Sequence, residues 1–158
     1  MFNEIEKHIK NNSKVISLQY GVGEIIGDFT MYDGIDDYLE VEYLVDSKTR
    51  YFCIKHINDV RLVSSKESIE SALNLMSARL NDHTIKNDFS ESTARFLDKN
   101  VTFIVKRIIE LLRKSELTMK DNILLYSTID SLVYEIEEVY QVDHQCARGI
   151  VGDYLKCA

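Results

Sequence analysis

The residues in this chain whose types could do covalent or metal chemistry are three cysteines, Cys53, Cys146 and Cys157, and four histidines, His8, His56, His83 and His144. Their spacing supports neither. No two cysteines form a Cys-x-x-Cys pair, and His144-Gln145-Cys146 is not a zinc spacing, because a tetrahedral site would need two more ligands from elsewhere. An odd number of thiols, in hydrophobic patterns or at the tail, reads as structural and places the chain in a reducing, cytoplasmic compartment. The adjacent acids Asp36-Asp37 and Glu137-Glu138 diverge on a strand or a helix, so neither pair can cooperate in general acid–base work. Gly21-Val22-Gly23 lacks the later glycine or the Lys-Ser/Thr of a phosphate loop, and it leads into a strand where a helix is needed. The reading is of a binder rather than an enzyme, with no cofactor, no metal and no small-molecule substrate.

Charge is the next source of function. The chain carries −7 overall, which argues against nonspecific nucleic-acid binding by the whole molecule. Between Arg95 and Lys120, however, seven cations (Arg95, Lys99, Lys106, Arg107, Arg113, Lys114, Lys120) stand against three acids (Asp98, Glu110, Glu116), a local +4 that leaves −11 for the remainder. Such a basic island is either a docking surface or a solvated helix face. No apolar run approaches the roughly 18 residues of a membrane span, and MFNEIEKHIK has no apolar secretion core.

The elements that position these residues follow from periodicity. Four of the six glycines and seven of the fifteen Phe and Tyr residues fall between Lys14 and Val63. Over 38–45, Leu39, Val41, Tyr43 and Val45 alternate with Tyr38, Glu40, Glu42 and Leu44, the period of a strand with one wet face. Further strands are expected at 14–20, 23–31, 50–56 and 59–63, with breaks at Gly21, Asp33-Gly34 and Asp46-Ser47-Lys48. Five short antiparallel strands favour a small closed barrel. Ahead of them, Phe2, Ile5 and Ile9 suggest a short amphipathic helix over 2–11.

Near Ser64 the period changes from two to 3.6, which divides the chain into a strand domain over 1–63 and a helical domain over 64–158. Ser64 and Glu67 have the form of a capping box, and Ile69, Ala72, Leu73, Met76 and Leu80 follow as an apolar stripe. Further helices are expected over 90–98, over 101–114, and from an N-cap at Thr118-Met119-Lys120-Asp121 to about Tyr140, the last with a stripe of Leu125, Ile129, Leu132, Val133, Ile136 and Val139. A final helix from Asp143 is expected to bury Cys146, Ile150, Val151 and Tyr154, with Gly149 and Gly152 admitting another helix backbone. The fold class is α+β in two parts: a small antiparallel β-barrel, then an all-α helical bundle.

Several stretches resemble the CarD/CdnL family of bacterial RNA polymerase-binding regulators, whose N-terminal module is shared with the transcription-repair coupling factor. VISLQYGVGEII over 15–26 is similar to the family's opening strand and H-G-x-G-x-I segment. Asp37-Tyr38-Leu39-Glu40-Val41 is similar to its E-Y-Y-V-L strand, and Lys55-His56-Ile57-Asn58-Asp59-Val60-Arg61 stands where it has N-A-x-x-V-G-(V/L)-R. Downstream, Phe103 to Leu111 resembles the V-A-E-V-V-R-D-L helix, and Leu117-Thr118 opens a helix where the family has L-S. The resemblance implies a Tudor/SH3-like barrel that grips the polymerase β subunit and a helical domain that presses on promoter DNA at the fork of the open complex. On the barrel it nominates Lys48, Arg50, Tyr51 and Lys55 for the protein partner, with Phe52 and Ile54 inward and Tyr51, Cys53 and Lys55 outward. For promoter DNA, Ile85 with Lys86 is the candidate for a smaller apolar wedge, and the basic island, through Arg95, Lys99, Lys106, Arg107, Arg113 and Lys114, is the candidate for phosphate contact from an orientation shifted from the family's. The family's tryptophan is replaced by the Ile85-Lys86-Asn87-Asp88-Phe89 stretch, and its basic residues near the start of the next-to-last helix correspond to Asp121, Asn122 and Ser127. The alternative reading is a polymerase-associated protein–protein adaptor that has lost DNA binding.

Overall fold

The computed structural model describes residues 11, 13–30, 36–54, 60–81 and 100–156. The helix expected over 2–11 (Asn11 aside), the helix expected over 90–98, and Lys55, Ile85, Lys86, Arg95 and Lys99 lie outside the described residues.

Alternating apolar residues build five strands: β1 (Lys14–Ser17), β2 (Gly21–Thr30), β3 (Asp37–Tyr43), β4 (Lys48–Cys53) and β5 (Val60–Leu62). They pair in the order β4-β3-β2-β1-β5, every pair antiparallel. β2 organises the sheet, pairing with β1 over Gly21–Glu24 and with β3 over Gly23–Thr30. A bulge between Ile25 and Gly27 leaves Ile26 as the extra residue and bends the strand. Two glycines are required here. Gly21 holds φ +73° at the end of the β1–β2 turn, and a Cβ on Gly23 would meet Val41 Cγ1 at 2.7 Å and the Glu42 carbonyl oxygen at 2.9 Å. One face buries Val15, Ile25, Leu39, Val41, Tyr43 and Val60, with Tyr20, Phe52, Ile54 and Leu62 packed against them. β4 and β5 are the two edges, so the described strands form an open antiparallel sheet and ring closure is not part of it.

The described helices are α1 (Lys66–Asn81), α2 (Val101–Leu112), α3 (Met119–Tyr140) and α4 (His144–Lys156). Asn100 caps α2 by accepting from Thr102 N at 3.0 Å. At α3 the expected cap is present as a reciprocal box, Thr118 Oγ1 accepting from Asp121 N at 3.2 Å while Asp121 accepts from Thr118 N at 3.1 Å. The α1 cap is displaced by one residue from the expected Ser64: Ser65 Oγ accepts from Ser68 N at 3.3 Å. Ser64 is used instead across the fold, its N–H donating to Glu135 Oε1 at 2.7 Å and its hydroxyl accepting from Val101 N at 3.1 Å.

The helical core takes the expected α1 stripe, Val101, Ile104, Val105, Ile108, Ile109 and Leu111 from α2, and Leu125, Leu132, Val133 and Ile136 from α3. In α4 the buried pair is Ala147 and Val151, one turn apart, while Ile150 and Tyr154 are half-buried at its margin. Cys146 is exposed, contrary to expectation, because Ala147 and Val151 set which stripe of α4 faces inward. Among the described residues nothing lies within 4 Å of where a Cβ would stand on Gly149 or Gly152, so no described helix backbone approaches either glycine.

Sheet and helices meet along α3. Because Val15 faces the sheet core, Ile16 faces the opposite side, paired with Val22 and Arg61, and α3 covers that part of the face. Arg61 and Glu135 form a bidentate pair, Nη1 to Oε1 at 2.6 Å and Nη2 to Oε2 at 2.5 Å, with the Glu135 side chain fully buried. Lys14 pairs with Glu138 one turn further along, and Leu18 packs on the helical core.

Candidate interaction surfaces

The pleat of β4 separates the residues nominated for the protein partner. Tyr51 stands opposite Glu40 on the face turned away from the sheet core, and it is 55% exposed. Its hydroxyl donates to the Glu40 carboxylate, and that hydrogen bond together with the Glu40 charge raises the phenol pKa. Phe29 meets Tyr51 edge to face at 5.2 Å and stacks on Tyr38 at 5.3 Å, so three strands contribute to one aromatic cluster.

Arg50 stands opposite Val41 on the other face. Asp46 accepts from it twice, at 3.0 and 2.6 Å, and its guanidinium lies 4.0 Å above the Tyr20 ring and 5.1 Å from Tyr43. The Arg50 hydrogen bond holds the Asp46 carboxyl down at about 2. Lys48, opposite Tyr43, is exposed at the turn end of β4. Arg50 and Lys48 therefore do not share a face with Tyr51, and Lys55 lies outside the described residues.

Between this end of the sheet and α3 is a small notch of about 150 Å³, lined by Gln19, Tyr20, Gly21, Val45, Asp46, Arg50 and Tyr134. It is large enough for a few waters or one side chain, and its cation is already neutralised by its carboxylate. Beside it the Tyr43 hydroxyl is buried without a complete hydrogen bond. Burial pushes its pKa up to about 12; the facing Ser17 hydroxyl, which accepts from Gln19 N at 3.2 Å and Tyr20 N at 3.4 Å, lowers it only in part. Among the described residues no three His, Cys, Asp or Glu side chains converge as a metal-holding group. Nor is any described helix long and apolar enough to cross a membrane.

In the helical half, two members of the basic island are engaged at helix ends. Arg113 donates to the Arg79 carbonyl at the end of α1. Lys114 pairs with Asp121 at 2.6 Å and, with Thr118, holds that carboxyl down at about 2. Arg107 is exposed on α2 and Lys106 is half-buried beside it. Ile85, Lys86, Arg95 and Lys99 lie outside the described residues, so the structure brings together only the 106–107 and 113–114 pairs of that set.

Two features went unread in the sequence. One is an exposed stripe at the start of α3: Met119 at 80%, Ile123 at 60% and Tyr126 at 66% exposed, with Leu112 also open. Their spacing of four and three is a second apolar stripe on a helix whose core stripe begins at Leu125, and that signal was available. The other is Glu135, which no pattern distinguishes from Glu137 and Glu138 beside it.

No family model matches this chain, and no curated protein matches it.

Proposed function

We propose that this chain is a regulator associated with bacterial RNA polymerase, acting as a protein-binding adaptor: the sheet module holds the β subunit and the helical half presents a second docking surface. The observation that carries this is the exposed aromatic cluster Phe29–Tyr38–Tyr51 beside edge strand β4, since clustered aromatic rings on a sheet face are what protein contacts use. The strand order β4-β3-β2-β1-β5, with a bent β2 shared between neighbours, supports reading the sheet as a Tudor/SH3-like barrel module. The two separate apolar clusters support a division into a strand domain and a helical domain near Ser64. At the start of α3, where the resemblance calls for cations, Met119, Ile123 and Tyr126 are exposed and Asp121 takes up Lys114, which favours a protein over DNA there.

Promoter contact is the second reading, supported by the exposed Arg107 with Lys106 on α2. Co-precipitation with a purified β-subunit lobe tests the first. Binding that Phe29→Ala and Tyr51→Ala weaken together is expected; a folded chain that fails to bind overturns it. A Lys106→Glu/Arg107→Glu variant separates the readings: unchanged open-complex lifetime leaves the adaptor, and a shortened one installs DNA contact.

A further inference from the structure

The outer face of the sheet has two parts. α3 covers the part formed by β1, β5 and the start of β2. Over β2, β3 and β4 the aromatic cluster is open, with Phe29 37% and Tyr51 55% exposed and Ile26 exposed at the bulge. The charges in this open part are of one sign. Glu24 stands directly opposite Glu42, and Glu40 lies in the next outward row opposite Tyr51. Like charges placed opposite each other on neighbouring strands destabilise a sheet.

Within the sheet one described cation shares their face: Lys14, opposite Glu24 on β1, whose ammonium goes to Glu138 on α3. The described strands carry four cations, Lys14, Lys48, Arg50 and Arg61. Lys14 is drawn to Glu138, Arg61 to Glu135 and Arg50 to Asp46 on the core face, and Lys48 sits at the turn. Stacked rings that offer π faces, flanked by three carboxylates, complement one chemistry above others: a planar cation that can stack and be hydrogen-bonded at once, which is arginine.

We propose that the outer face of β2, β3 and β4 docks an arginine-bearing segment of a protein partner, its guanidinium groups stacking on Phe29, Tyr38 and Tyr51 and pairing with Glu40, Glu42 and Glu24. This rests on the sheet being the protein-holding module, and it names the partner's chemistry: the contact surface on the other protein is basic. The unfavourable Glu24–Glu42 juxtaposition has Lys14 on its β1 side and no cation on its β4 side, where Thr49 stands opposite Glu42, so a partner's guanidinium relieves it further.

The test uses the full chain and fluorescein-labelled nine-residue peptides of alternating arginine and valine, or of alternating glutamate and valine, read by fluorescence anisotropy. The arginine peptide binds and the glutamate peptide does not. Glu40→Gln/Glu42→Gln weakens binding by about tenfold or more, as loss of two charge-assisted contacts implies, while its thermal midpoint stays level or rises. Phe29→Ala/Tyr51→Ala weakens it comparably. Glu116→Gln/Asp153→Asn, which removes two exposed acids from the helical half, leaves it unchanged. Equal weakening by that control pair, or equal binding of both peptides, overturns the proposal. The same variants against the β-subunit lobe separate the two readings. A lobe held equally by wild type and Glu40→Gln/Glu42→Gln defeats this inference and leaves the polymerase reading standing. Variant-sensitive arginine-peptide binding without lobe binding does the reverse.

Discussion

Removing the Glu135 carboxylate should cost this protein a large part of its stability. Glu135 is fully buried and accepts three hydrogen bonds, two from Arg61 and one from Ser64 N. Glu135→Ala strands a guanidinium that is about 4% exposed as a residue and leaves a backbone N–H unpaired. Breaking a buried pair from one side costs about 3–5 kcal/mol, against a total of about 5–15 kcal/mol for a domain. At about 2–4 °C per kcal/mol for a chain of this size, the midpoint should fall by roughly 6–20 °C. Arg61→Met/Glu135→Leu removes both charges and keeps apolar volume. It should recover most of that loss, falling short of wild type by about 1–3 kcal/mol because Ser64 N still lacks its acceptor. Urea unfolding followed by circular dichroism measures all three proteins. A Glu135→Ala loss under about 1 kcal/mol would mean that the pair is solvated and that α3 does not seal this side of the sheet, which refutes the account of how the halves are joined.

The α4 glycines give a change of opposite sign: Gly149→Ala and Gly152→Ala, each with open space for the new methyl, should stabilise by about 0.5–1 kcal/mol apiece, read from the same urea curves. The pH limits follow from three shifted groups. Asp46 and Asp121 have folded pKa values lowered from 3.8 to about 2, so their contribution is complete above pH 4 and is lost as pH falls from there through 2. Asp46→Asn/Asp121→Asn should flatten the acid limb of thermal stability measured between pH 5 and 2. Tyr43, raised from 10.0 to about 12, contributes fully below pH 10 and loses that contribution as pH rises to 12, a limb that Tyr43→Phe should flatten.

Where local pattern decides structure, the sequence was legible. Alternation located every described strand to within a few residues, and the α3 cap could be read because Thr118 and Asp121 satisfy each other without help. At Ser64-Ser65 either serine fits a cap; the choice falls to Ser65 because Glu135 and Val101, 71 and 37 residues away, take the polar groups of Ser64. Glu135 itself was illegible for the same reason, since its partner Arg61 is 74 residues distant. Arg50 and Tyr51 were nominated together, although a period of two already places neighbours on opposite faces. The aromatic cluster needed the pairing register, because only that register sets Phe29 beside Tyr38 and Tyr51 within reach of Phe29.

The position of Glu135 on α3 carries a consequence for an adaptor. The same helix that exposes Met119, Ile123 and Tyr126 at its start fixes the sheet through Glu135 and Glu138 near its end. Met119 and Glu135 are sixteen residues apart on one helix, about 24 Å at 1.5 Å per residue. No hinge interrupts that span, because 119–140 is a single α-helix. A partner held on the outer face of the sheet thus finds the Met119 stripe at a set distance and orientation. The buried pair is then more than a stability element, since an apolar replacement could hold the halves together without the directional, bidentate geometry that fixes their angle. Arg61→Met/Glu135→Leu is therefore the variant that can keep the fold and each separate contact while losing their joint action.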